Sequence, residues 1–325
     1  MYRMADRPQL DAPATEAHMP ALLSKQGVVV TGLARALLAC APGERIGRVQ
    51  DYAARYNASL GTVQAALEYL HTIDAVRLDA RGRRGTYARA LDYPTLWRLG
   101  TRRPVVGALP LPYSLRFAGL ATGLREQFHA AGLDLDMRFM RGATQRLQAL
   151  SAGDCDWALV SRYSAETAAA HGFAVAAIAL LGPESYMAQH VLLVGPPGAE
   201  GLRDGMRVGV DFDSNDHTVL VRLLSRGLRV ELVPIEYSQG LRLVSSGVID
   251  ATVWSREDLP LDLAAPAVIP LDPAAYPQLG PLGEGALVIG QGSRAVAHLL
   301  GAVLDVAGLQ RTQAAVVRRE RQPAY

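Results

Sequence analysis

Leu150-Ser-Ala-Gly-Asp-Cys-Asp156-Trp-Ala-Leu-Val-Ser161-Arg162 returns 94 residues later as Val244-Ser-Ser-Gly-Val-Ile-Asp250-Ala-Thr-Val-Trp-Ser255-Arg256. Each copy ends a helix on glycine, sets an aspartate before an apolar run, and leaves that run through Ser-Arg. A glycine behind a helix readily takes the left-handed conformation that stops it, and the short apolar run that follows suits a buried strand. Each copy is therefore one helix–strand step of an α/β lobe. Two copies predict two similar lobes around a cleft at the strand exits, where open α/β sheets bind ligands.

Outward from these copies the α/β alternation continues from Val105 to the end. Strands are expected at Val105–Leu109, Leu135–Met140, Trp157–Val160, Val175–Leu181, Val191–Val194, Arg207–Val210, Val230–Val233, Thr252–Trp254, Ala267–Ile269 and Leu287–Ile289. Helices are expected at Leu115–Ala130, Thr144–Ser151, Ala165–His171, His217–Ser225, Gly240–Ser246 and Ala295–Leu309. Residues 105–325 make up this two-lobed ligand-binding domain.

The front of the chain has another grammar. An apolar-periodic helix runs from Gly27 to Leu38 and stops at Pro42-Gly43. Two short helices follow, Val49 to Tyr56 and Leu60 to Ile73, the latter capped by Ser59 with Val63, Ala66, Leu67 and Leu70 inward. A hairpin then brackets Ala80-Arg-Gly-Arg-Arg-Gly85, and Arg77 to Arg89 hold five arginines against one acid, Asp79. Three helices closed by a basic hairpin predict a winged helix-turn-helix over residues 27–90. A flexible arm is expected over 1–26, and a linker or short connecting helix over 91–104.

Charge supports that division. The 325 residues carry a net charge of +2, yet residues 1–100 have 13 Lys/Arg against 9 Asp/Glu and the remainder 20 against 22. If the chain meets nucleic acid, it does so with its front third. Cys40 and Cys155 make no disulfide scaffold, no apolar run is long enough to span a bilayer, and the opening residues lack a signal peptide's apolar core, so the cytoplasm is the expected location. His18, His71, His129, His171, His190, His217 and His298 show no metal-ligand spacing, and no nucleotide or hydrolase motif appears. Asp211 and Asp213 could act as an acid/base pair, but their neighbourhood reads better as a helix-start loop. No enzyme activity, metal or cofactor is expected.

The block from Glu44 through Tyr87 resembles the winged helix of GntR-type bacterial regulators, on Asp51-Tyr-Ala-Ala, Ser59-Leu-Gly-Thr62-Val63-Gln-Ala-Ala66-Leu67 and Gly82-Arg-Arg-Gly85-Thr86-Tyr87. It departs from them in having Arg45-Ile46-Gly47-Arg48-Val49 before the second helix, and Gly61 where a basic residue is common. The second domain resembles the type 2 periplasmic-binding-protein fold. Together the likeness narrows to the YhfZ family of transcriptional regulators. Its strings are Val30-Thr-Gly-Leu-Ala-Arg-Ala-Leu-Leu38, Leu109-Pro-Leu-Pro-Tyr113, Met140-Arg-Gly142, Val160-Ser-Arg162, Leu181-Gly-Pro-Glu-Ser-Tyr186 and Gln322-Pro-Ala-Tyr325. The resemblance implies a DNA-binding regulator with a small-molecule sensor domain, and a C-terminal tail that docks on the fold.

On double-stranded DNA, Arg45, Arg48 and the wing residues Arg81, Arg83 and Arg84 are the candidate backbone contacts. Ser59 starts the recognition helix, and Thr62 and Gln64 are its base readers. One such helix reads few bases, so a homodimer on a two-fold operator is expected. In the cleft, helix starts offer free N–H groups to an anion. Lobe one contributes Tyr113, Ser114, Arg141, Gly142, Ser161 and Arg162; lobe two contributes Ser214, Asn215, Tyr237, Trp254 and Ser255. Hydroxyls and arginines at helix starts suit a small organic anion. Two other readings stay open: a degenerate sensor kept for dimerisation, and an enzyme acting on a small metabolite in the same cleft.

Overall fold

A computed structural model describes residues 24–195, 200–260 and 266–325. Most of the expected arm, 1–23, lies outside the described residues. The chain forms two compact units that meet in sequence at Arg102/Arg103.

In the first unit, α1 (Lys25–Leu38) is capped by Ser24, whose hydroxyl accepts from Gly27 N–H, and buries Val29, Leu33, Ala34 and Leu37. Helices α2 (Val49–Arg55) and α3 (Leu60–Thr72) are joined by a turn in which Asn57 takes φ +48°. Val63, Ala66 and Leu70 face inward as their spacing requires. The hairpin β1 (Val76–Ala80) and β2 (Thr86–Leu91) is antiparallel, its tip a single 3-10 turn at Gly82–Arg84. The stretch read as a linker carries α4 (Tyr93–Thr101), started by the Asp92 cap and packed on α1. Gly100 permits the close approach: a methyl there would strike the Arg35 backbone, and Arg35 donates two hydrogen bonds to the Gly100 carbonyl.

The second unit contains two five-stranded sheets of equivalent order. Lobe one holds β3 (Val105–Leu109), α5 (Leu115–Ala130), β4 (Leu135–Phe139), α6 (Ala143–Ala152), β5 (Trp157–Ser161), α7 (Arg162–Thr167) and β6 (Val175–Leu180). Lobe two holds β7 (His190–Val194), β8 (Arg207–Val210), α8 (Asn215–Leu224), β9 (Glu231–Pro234), α9 (Gly240–Ser245), β10 (Ala251–Ser255), β11 (Ala267–Pro270) and the short α10 (Leu279–Gly283). The chain then returns to lobe one as β12 (Gly285–Gly290), α11 (Arg294–Val303) and α12 (Val306–Val317). The orders are β4-β3-β5-β12-β6 and β9-β8-β10-β7-β11, with β12 and β7 the antiparallel members. All ten expected strands of this unit are present. Two crossings between lobes and this strand order define a type 2 periplasmic-binding-protein fold.

The sequence echo has a physical content. Gly153 and Gly247 take φ +78° and +70° behind α6 and α9. Asp156 donates its N–H to the Val106 carbonyl and accepts from the Val106 N–H through its carboxylate, at 2.8 Å each. Asp250 does the same with Arg207, at 2.8 and 2.7 Å. Each aspartate thus sews the start of its central strand to the first strand of the lobe, and each is braced by a guanidinium, Arg103 on Asp156 and Arg207 on Asp250. At the other end the Ser-Arg pairs mark the crossings. Arg162 N–H donates to the Glu284 carbonyl just before β12, and Arg256 N–H to the Gln189 carbonyl just before β7.

Sheet faces are buried on both sides. Leu192, Val194, Val208 and Val253 pack on one face of lobe two, and Val191, Leu193 and Trp254 on the other. Each fully buried aliphatic side chain contributes about 1.5–3 kcal/mol. The expected helix over Ala295–Leu309 is broken. A separate α12 starts after Asp305, whose backbone Gln127 of α5 clamps, donating to its carbonyl at 2.8 Å and accepting from its N–H at 3.0 Å. The tail beyond α12 lies on the fold: Ala324 N–H donates to the buried Thr122 hydroxyl, and the Tyr325 ring packs on Phe139.

Candidate functional site

The first unit presents α3 and the hairpin tip to solvent. Ser59 accepts from Thr62 N–H and shares a 2.9 Å hydrogen bond with the Thr62 hydroxyl. Leu60, Gln64 and Tyr69 form the exposed face of α3, so Tyr69 joins the residues expected there. Arg81 is occupied at home, 2.8 Å from Asp79 and stacked on the Tyr87 ring at 4.5 Å. Arg45 bridges to Tyr87 by its backbone and lays its guanidinium over Gly85. Arg83 and Arg84 are exposed and carry no ion pair among the described residues. Arg48 is exposed at the start of α2, its N–H held by Asp51.

In the second unit a cavity of about 80 Å³ lies between the lobes at the strand exits. Of the residues expected in the cleft, Tyr113, Arg141, Gly142, Ser214 and Tyr237 line it. Gly142 and Ser214, at the starts of α6 and α8, line it, while Ser114 and Ser161 cap α5 and α7 through their hydroxyls and lie outside its lining. Ser114 and Ser255 border a smaller adjoining space. The other candidates sit outside the main cavity. Trp254 stands behind Tyr237, stacked at 4.4 Å, and Arg162 turns to Glu166 and Glu284. Asn215 faces a separate pocket beside α6.

Arg141 belongs to a cluster that ties the lobes together. Its guanidinium reaches Asp213, Glu236 at 3.1 Å and Asp211 at 3.6 Å, all from lobe two. Arg116 of α5 pairs with Glu257 in the same sense, and Ser161 and Ser164 both donate to Asp216 Oδ1, at 2.7 and 2.8 Å. Asp211 is buried and accepts the N–H groups of Asp213 and Tyr237, so it organises two loops at once.

Several residues at the cavity were not foreseen. Arg146 is 2% exposed and donates to the carbonyls of Leu159 and Met140 and to the Tyr186 hydroxyl. Among the described residues no carboxylate comes within ion-pair distance of it. A signal existed: it falls on the inner stripe of α6 with Ala143 and Leu150, where an arginine is out of place. His190, 6% exposed, also lines the cavity, and its ring takes no hydrogen bond from the described residues. Burial, reinforced by nearby His217, lowers its pKa to about 4. His217 accepts from Asp211 N–H at Nδ1, so Nε2 carries the proton toward the Val253 carbonyl; burial lowers its pKa too. Tyr186 is buried and its phenol is pushed up to about 12 by that burial. Burial likewise raises Asp216, against the two serine hydrogen bonds.

A helix-turn-helix unit joined in one chain to a two-lobed α/β domain with a charged cleft defines the class. Residues 41–88 match the family model of a helix-turn-helix domain, and residues 92–325 match that of the YhfZ C-terminal domain. The chain belongs to the YhfZ family. It is 32% identical to YhfZ of Escherichia coli (strain K12) over 304 residues, 93% of this chain and 98% of that one. The crystal structure of YhfZ from Shigella flexneri superposes with a TM-score of 0.59 at 29% identity, covering 72% of this chain and 98% of that one. The periplasmic aliphatic sulphonate binding protein SsuA from Escherichia coli matches with a TM-score of 0.47 at 16% identity, covering 67% and 74%. Among the described residues no helix is long and apolar enough to cross a membrane.

Proposed function

We propose that the protein is a DNA-binding transcriptional regulator, acting as a homodimer, whose two-lobed domain senses a small organic anion and carries out no catalysis. The observation that carries this reading is Arg146: a guanidinium buried at the cleft cavity with no carboxylate partner. Arg146 makes no direct ion pair, and its buried charge is only partly offset by Asp216 across the cavity, so an anionic group arriving beside it would be favoured. Arg141 stands at the same cavity, its charge already met by Asp211, Asp213 and Glu236. On the DNA side, Arg83 and Arg84 are free to meet phosphates, while Gln64 and Thr62 stand at the start of α3 for base edges. Arg45 and Arg48 flank them. Arg81, paired with Asp79, supports the wing.

Binding of the full chain to a selected operator, measured across salt concentrations, tests the DNA half. Replacing Arg83 and Arg84 by alanine lowers affinity for every sequence and cuts the salt slope by about one for each phosphate no longer neutralised. Unchanged affinity and slope would remove the wing assignment. An effector shifts operator affinity by about 1–3 kcal/mol. Turnover of the bound molecule would instead make the domain an enzyme. One observation favours a second reading: Arg141, Arg116 and Asp216 already hold the lobes together by themselves. If no small molecule alters melting or operator binding, the domain is a closed platform for dimerisation.

A further inference from the structure

The two walls of the cavity carry opposite charge. Lobe one supplies Arg146, with the Tyr186 hydroxyl at 2.7 Å from its guanidinium. Three of its five N–H groups are used, and the Tyr186 O–H, which accepts from Arg146, donates to none of the described residues. Lobe two supplies Asp216. Its Oδ1 is taken by Ser161 and Ser164, while Oδ2 accepts no hydrogen bond from the described residues. Arg146 and Asp216 line one cavity yet do not meet as an ion pair. The space between them has walls of Phe117, Met140, Leu220 and Val253, and the unpartnered ring of buried His190 completes it.

We propose that the ligand is a small zwitterion with an apolar body, a neutral α-amino acid or a compound of the same charge pattern, its carboxylate on Arg146 and Tyr186 and its ammonium on Asp216. This rests on the sensor reading above, and replaces its simple anion with a molecule that carries a cationic group as well. A simple anion would answer Arg146 and leave Asp216 Oδ2 as it is. A simple cation would do the reverse. Only a molecule carrying both charges satisfies both walls, and each charge-assisted hydrogen bond is about twice as strong as a neutral one. Phe117, Met140, Leu220 and Val253 supply apolar contact for the molecule's body, with Tyr113, Ser214, Tyr237 and His190 as the neutral polar groups beside it. A cavity of about 80 Å³ holds a body of a few carbons in this closed form. Arg141, engaged with three carboxylates of the other lobe, is not the anion anchor in this arrangement.

The test is thermal melting of the full chain with four probes at equal millimolar concentration: L-valine, isovalerate (which lacks its ammonium), isobutylamine (which lacks its carboxylate) and inorganic phosphate. L-alanine, L-leucine and L-methionine bracket the size. At least one amino acid is expected to raise the melting temperature by several degrees, with its two truncated analogues shifting it by less than a third as much. In Asp216→Asn the amino acid loses its advantage over the acid lacking the amine, and in Arg146→Met its shift disappears. Should these variants fold poorly, the probe series on the unaltered protein decides alone. Equal shifts from isovalerate and L-valine, or a shift from phosphate, overturn the zwitterion and leave an anion sensor standing. No shift from any amino acid, with operator binding still responsive to another small molecule, overturns the zwitterion alone; silence in both measurements removes the sensor as well.

Discussion

The two lobes agree in scaffold and disagree in charge. Strand order, the glycine stop, the aspartate that sews two strands together and the Ser-Arg crossing recur at matching places. At the cleft, lobe one presents Arg141 and Arg146, whereas lobe two presents Asp211, Asp213, Asp216 and Glu236. Even the crossing strands differ: Ser161 pairs with Gly285 of β12, and the equivalent Ser255 pairs with His190 of β7. Positions that hold the sheets together repeat because any lobe of this topology needs them. Those facing the cavity are free to diverge, and they have become complementary across it.

The strongest way to break this complementarity is to keep the lobes apart. Gly142 has φ +72° and ψ 144°, a glycine conformation, and a methyl on it would run into the Asp213 carbonyl oxygen of the other lobe. Gly142→Ala is expected to cost the closed form about 4 kcal/mol, from backbone strain and overpacking together. Small-angle scattering should show an expanded domain; an unchanged radius would mean that the lobes meet by other contacts.

His190 sharpens the contrast with Gly285. Its folded pKa of about 4 lies below the free value of about 6.5. Between those pH values the unfolded chain binds a proton that the folded one excludes. This contribution is therefore complete above pH 6.5 and lost as pH falls toward 4, about 3 kcal/mol in all. In His190→Asn, urea midpoints at pH 7 and pH 4.5 should differ less than in the unaltered protein. An equal difference would place the titration elsewhere.

The two sewing aspartates give the smallest effect. Asp156 is 9% exposed at its side chain and Asp250 is 23% exposed. Removing the more buried one leaves more unsatisfied polar groups out of reach of water. Asp156→Ala should cost about 2 kcal/mol and Asp250→Ala about 1, by chemical denaturation. A reversed order would mean that exposure does not rank the equivalent sites.

Local order wrote the scaffold into the sequence, which is why ten strands and the cleft location could be read from apolar runs, glycines and the echo. The cavity was legible only at helix starts, where Tyr113, Gly142, Ser214 and Tyr237 sit beside their own caps. Arg146, Tyr186, His190 and Asp216 come from four segments, and only folding makes them neighbours. Arg141 illustrates the same limit. Its sequence neighbourhood shows a cation at a helix start, but its three carboxylates lie at least 70 residues away in the other lobe. The break before α12 depends on Gln127, a side chain from another helix, so the apolar period of 295–309 runs through it unmarked.

The placement of β12 also has a consequence for synthesis. Lobe two is one continuous stretch of chain, while lobe one needs β12 between β5 and β6 to complete its sheet. As the chain leaves the ribosome, β6 is finished about a hundred residues before β12 emerges, about 5–20 s at ordinary elongation rates. During that interval β5 and β6 each have an open edge, the kind of surface that recruits foreign strands. Lobe two can fold whole in the meantime, and the lobe that begins first is the one that closes last.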